Sequence, residues 1–182
     1  MKKRINIFLI LLAGILLLSS ATSIESNRNN SDLKVKLDEV ASYSNVRDTK
    51  NLEVSEAAVA WHMDHIFLVV NQVSKALEQS NESDYKTKFN MKRAYVFTFN
   101  RMPRGKATAP EAARPKDNID LNTIQMHYEQ ALATVDNLSN LPEKKHFNHP
   151  VLGTLNRDKT IKFLAIHTEH HLKIIRDILE DK

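Results

Sequence analysis

The chain reads as an all-α helical bundle behind an N-terminal signal segment, and two observations predict it. Only three glycines and five prolines occur among 182 residues, whereas sheet-rich folds spend Gly, Pro and Asn on frequent turns. Apolar residues also recur at three- and four-residue spacing along several stretches, the period of a helix with one buried face. The length left after a targeting segment is about 160 residues, the size of one ordinary domain able to bury a core unaided.

The first element is the targeting segment. Lys2, Lys3 and Arg4 precede a run from Ile5 to Leu18 that is apolar apart from Asn6, and the small residues Ser19, Ser20 and Ala21 follow. That layout matches a cleaved secretory signal, and the run is shorter than the roughly 20 apolar residues that span a bilayer. The expected division is a signal peptide over 1–21, a disordered polar tether over 22–31 and a helical domain over 32–182. The protein is expected to be exported, periplasmic or secreted, with anchoring by residues 5–18 as the alternative. On this reading the membrane is met only through the signal segment. Cysteine is absent, which excludes disulfides, thiolate ligands, a thiol nucleophile and a lipoprotein anchor. The full chain carries +4; three of those charges are Lys2, Lys3 and Arg4, so the mature chain would carry +1. A near-neutral domain gives no electrostatic reason to bind nucleic acid.

Leu33, Leu37 and Val40 predict a short first helix over Asp32 to about Tyr43, and the polar residues 44–53 predict a loop. Ser55 is the expected N-cap of a second helix carrying Val59, Met63, Ile66, Val69, Val70 and Val73 and ending near Ser80-Asn81. Tyr85 to Met102 fits a third helix, although the run YVFTF also fits a short strand. Pro103 to Pro115 breaks regular structure three times and forms a basic loop with Arg104, Lys106 and Arg114, either a solvated connector or a loop over a site. Asp120 can cap a fourth helix to about Leu138, with Ile124, Tyr128, Ala131, Leu132 and Val135 inward. Residues 143–155 look irregular. Asn156 or Asp158 can cap a last helix to about Leu179, with Ile161, Leu164, Ile174, Ile175 and Ile178 inward.

The chemistry lies in the histidines. His167 and His171 are four apart, which places two imidazoles on one helix face, and the seam Leu164, His167, His171, Ile174, Ile178 puts that face inward. Both can reach one ion at about 2.0–2.1 Å. The pair alone is a weak signal. His62 and His65 on the second helix strengthen it, because bundles build metal sites from facing helices. Three histidines from two helices leave a tetrahedral ion one open position, as in catalytic sites. Neutral imidazole suits zinc or nickel. Two helical seams compete on the second helix, and one of them aims His62 inward. His170 and Glu169 fall off the last seam, and His127 and His146 read as solvated. Trp61 reads as core or groove wall.

The segments VAWHMDHIF and FNHPVLGTLNRDKTIKFLAIHTEHHLKII, in this order and separation, resemble the DinB-like, YfiT-like superfamily of metal-binding proteins from about residue 50 to the C-terminus. The pattern H-P-x-x-G-x-L followed by H-x-x-H-H carries the resemblance. It implies a four-helix bundle with a divalent ion on one histidine of the second helix and two of the last, here His65, His167 and His171. His65 is chosen because the first ligand stands six residues after the apolar residue that opens the helix, here Val59; His62 is its competitor. The resemblance makes His149-Pro150 and Gly153 the turn before the last helix, with His149 a contact at the lid. It also implies metal-dependent chemistry in some members, including thiol transfer by cytoplasmic ones. An exported chain meets few free thiols, so a metal-dependent hydrolase acting on an unknown small molecule is the variant expected beside a transferase. The alternative is a non-catalytic metal or small-ligand binding module. A homodimer stays open.

Overall fold

The computed structural model describes residues 27–105, 109–116 and 119–180. The signal segment 1–21 and residues 22–26 of the expected tether lie outside them. Among the described residues, no helix is long and apolar enough to cross a membrane.

The protein is mostly helical. Helix α1 covers 27–42 and continues as a 3-10 turn, Tyr43–Val46. Residues 27–31 are thus helical where their polar composition suggested a tether. A tertiary contact explains this: Asn30 Nδ2 donates to the Val135 carbonyl at 3.0 Å, anchoring a turn that local propensity alone would not hold. Helix α2, Val59–Gln79, is the central element and packs against two of the other long helices and the hairpin described below. Val59, Met63, Ile66, Phe67, Val70 and Leu77 are buried along it, each worth about 1.5–3 kcal/mol of apolar burial. Its expected cap is corrected. Position N-cap is Ala58, without a side-chain bond, and Ser55 Oγ instead accepts the Ala57 N–H at 3.1 Å and meets His62.

Helix α3 is shorter than its expected span and is not a strand. It runs Met91–Phe99, is capped by Asn90 accepting from Arg93 N–H, and ends at Asn100 in the left-handed region. Only Val96 on it is buried. The loop that follows holds a 3-10 turn, Glu111–Ala113, packed on α2. Helix α4, Leu121–Leu138, begins as expected at Asp120, whose carboxylate accepts the Thr123 N–H at 2.8 Å.

Residues 143–155 are not irregular throughout. Strands β1, His146–His149, and β2, Gly153–Asn156, form an antiparallel hairpin with His149 opposite Gly153. The turn is closed by His149 Nδ1, which accepts N–H bonds from Val151 and Leu152 at 3.0 and 3.1 Å. Gly153 follows at φ +72°, a conformation glycine adopts without strain. Two four-residue strands carry too little alternation for periodicity to register. Asn156 ends β2 and caps helix α5, Arg157–Leu179, by accepting the Lys159 N–H at 3.2 Å.

Helix α5 lies against α2. Helix α1 is tied to α4 by Tyr128 Oη donating to Asp38 and by the Lys34–Asp136 pair, and to α5 by Arg176 on Glu39. The core fills the space between these four long helices.

Candidate metal centre

Helices α2 and α5 face each other with their histidines inward. His65 and His171 have ring centroids 4.7 Å apart, His65 and His167 5.2 Å, and His167 and His171 4.7 Å. One ligand nitrogen from each of the three lies within 4.8 Å of the others, and all three residues are buried, so the triad could hold a metal ion. The four-residue step on α5 and the inward seam explain the second and third members. The first is His65, the choice made from the sequence motif. His62 is equally buried but lies behind His171.

Hydrogen bonding fixes which nitrogens are free. His65 Nδ1 is 2.6 Å from the Ala113 carbonyl. A carbonyl only accepts, so Nδ1 carries the proton and donates, leaving Nε2 with its lone pair. His171 Nδ1 is 3.0 Å from His62 Nδ1, and His62 Nε2 is 3.0 Å from Ser55 Oγ. If His171 Nδ1–H donates to His62, then His62 Nε2–H donates to Ser55 and His171 Nε2 is free to ligate. The reverse direction would leave a hydrogen on His171 Nε2. A metal ion therefore selects the first direction, in which His62 orients a ligand ring from behind, as outer partners of metal-bound imidazoles generally do.

Burial also sets the charge state. It pushes His167 and His171 well below the usual imidazole range, with the neighbouring His65 adding to the shift at His167 and His167 adding to that at His171. His65 is lowered chiefly by burial, and His62 falls to about 4 by burial and the nearby His65. Neutral imidazoles are the form that binds metal. His149, pressed edge-on against Phe163 at 4.8 Å, is likewise lowered to about 4 by burial. Its ring closes the hairpin turn.

These shifts give a pH dependence with a definite sign. Each imidazole is protonated less readily folded than unfolded, so the unfolded chain takes up more protons below the ordinary value near 6.5. The stability these groups contribute is complete above about 6.5 and is lost as pH falls towards about 4. The urea midpoint of metal-free protein should fall steadily through that window. A flat profile would contradict the burial of these rings.

The walls are of mixed origin. Trp61 is half-buried and stacks on His65, with centroids 4.9 Å apart and planes 15° apart. The basic loop contributes more than a connector would, because Ala113 supplies the carbonyl that holds His65. Arg104 reaches Asp177 at 2.6 Å and His170 hydrogen-bonds the Met102 backbone, tying the same loop to α5. No acidic residue belongs to the triad. Glu169 pairs with Lys36 and Arg176, and Asp64, next to His65 in sequence, turns away.

Two histidines read as solvated are corrected. His146 is buried in β1, with Nδ1 donating to the Lys144 carbonyl at 3.2 Å. His127 meets Asp64 Oδ1 at 2.7 Å, and Asp64 is almost fully buried. The α2 stripe contained the only available signal, a carboxylate set among core positions, which requires a partner. His127→Ala should therefore cost about 1–3 kcal/mol by stranding that carboxylate. Urea denaturation measures this, while metal content should stay at the wild-type level. The groove beside His127, about 500 Å³ between α2 and α4, shares no residue with the triad.

Comparison with protein families, with curated proteins and with solved structures finds no match for this chain.

Proposed function

We propose that this chain is an exported metalloprotein of the DinB-like, YfiT-like type, a four-helix bundle holding one divalent ion, zinc or nickel, on His65, His167 and His171. One observation carries the reading: three buried imidazoles converge, His65 Nδ1 donates to the Ala113 carbonyl, and His171 Nδ1 has its hydrogen-bond partner, His62, outside the triad. Such a donor set fits a divalent ion of the zinc type, and the stabilised neutral rings need no deprotonation to bind it. A divalent ion at three imidazoles supplies Lewis-acid chemistry at its remaining position. The chain's own residues would orient and enclose. Ala113 and His62 fix two ligand rings, Trp61 walls one side, and the turn Glu111–Ala113 packs on another. The proposed activity is a metal-dependent transfer or hydrolysis of a small molecule.

A second reading, a non-catalytic metal-binding module, is favoured by the acids beside the site. Asp64 and Glu169 are both engaged elsewhere, which leaves no carboxylate as an evident general base. The test has two stages. Protein purified without an affinity tag and supplied with zinc and nickel should hold one ion per chain; substoichiometric metal would end the metalloprotein reading. Metal-loaded protein is then assayed against ester, amide, phosphoester and thiol-transfer substrates. Turnover that disappears with the metal removes the non-catalytic reading, and its absence across these classes removes the enzymatic one.

A further inference from the structure

Helix α3 presents its apolar side to solvent. Met91, Tyr95 and Phe99 recur every four residues on the outward face, 77 %, 50 % and 63 % exposed, and Phe89 just before the helix is 83 % exposed. The inward face is made by Val96, Phe97 and Arg93, whose guanidinium donates to the Leu152 and Thr154 carbonyls. Exposed Val151 extends the ridge at the hairpin tip, where its carbonyl accepts from Asn90. Contiguous exposed apolar surface of this kind marks an interaction site.

The charge around the ridge selects the partner. Residues 85–110 contain seven basic residues and no acidic one. The full chain carries +4, so this stretch holds +7 and the remainder −3. Lys88 and Lys92 are the sequence neighbours of Phe89 and Met91, Lys86 stands three positions before Phe89, all three are exposed, and Arg101 follows the helix. A second copy of the chain is disfavoured, because a two-fold interface would bring these positive patches together. Bases could stack on Phe89, Tyr95 and Phe99, but Met91 and Val151 add exposed aliphatic surface that base stacking does not use. An apolar ridge of aromatic and aliphatic side chains bordered by lysines suits the boundary of an anionic bilayer.

We propose that α3 and its flanks form a peripheral docking surface for membranes rich in anionic phospholipid, with Phe89, Met91, Tyr95 and Phe99 entering the headgroup boundary and Lys86, Lys88 and Lys92 pairing with lipid phosphates. This contact is separate from any made by the apolar run at 5–18.

The full chain is mixed with vesicles of phosphatidylcholine alone or with phosphatidylglycerol added. Binding to the anionic vesicles should be at least about tenfold tighter, and should weaken with added salt. The triple variant K86E/K88E/K92E should lose that preference. The triple variant F89S/Y95S/F99S should bind anionic vesicles at least about tenfold more weakly, with helicity and metal content unchanged because all three side chains are exposed. In F99W the new indole should shift its emission to shorter wavelength on binding anionic vesicles. The proposal is overturned if both triple variants bind like wild type, which would assign all binding to residues 5–18. It is equally overturned if the two lipid mixtures bind alike, if the chain forms a dimer that F89S/Y95S/F99S dissociates, or if a single-stranded oligonucleotide displaces the vesicles at matched phosphate concentration.

Discussion

His167→Ala and His171→Ala should each remove most of the bound metal, and His65→Ala should do the same. Each substitution deletes one of three ligands to a borderline-soft ion and leaves two imidazoles with nothing between them. The loss should appear as a drop from one ion per chain to a small fraction, read by elemental analysis after extensive dialysis. The fold should survive, since about 160 residues bury an adequate core without metal, and far-UV circular dichroism of the variants should match the wild type. Affinity should also fall with pH as protons compete for the nitrogens. The resistance of these buried rings to protonation places that decline below the ordinary value near 6.5.

His62→Ala should behave differently, and the difference separates the two imidazoles of α2. His62 holds His171 through Nδ1 and is itself held by Ser55. Its removal leaves the three ligands in place but frees the His171 ring to rotate and to change tautomer. Outer partners of metal-bound imidazoles typically contribute 10–100-fold in affinity, so the metal dissociation constant should rise by roughly that factor while the stoichiometry stays at one. Ser55→Ala should act in the same direction with a smaller effect. If His62→Ala empties the site and His65→Ala does not, the roles of these two rings are reversed.

The long helices and the α5 half of the site were legible because both depend on helical period. Leu164, His167, His171, Ile174 and Ile178 form one seam, and the structure buries all five. On α2 the period was insufficient, since His62 and His65 are three apart and both are buried in a helix enclosed on most sides. Only the motif spacing separated them. What sequence could not give are the contacts made across long separations. Ala113 reaches His65 across 48 positions, and His62 reaches His171 across 109. The Asp64–His127 bond crosses 63, and it turned a histidine read as solvated into the partner of a buried carboxylate. The hairpin escaped notice because its strands are four residues long and their turn is built on the His149 side chain. Helix α3 defied the usual pattern by facing Met91, Tyr95 and Phe99 outward, so much of its apolar period described a surface rather than the core.

The most direct measurement of the central claim is an anomalous difference map, recorded on both sides of the zinc or nickel absorption edge from crystals of untagged protein. A single peak per chain, enclosed by the Nε2 atoms of His65 and His171 and a ring nitrogen of His167, with the His65 Nδ1 bond to Ala113 and the His171 Nδ1 bond to His62 intact, is the predicted result. A map with no peak among these three side chains from fully metal-supplied protein, or with its peak on His62 in place of His65, would contradict the account.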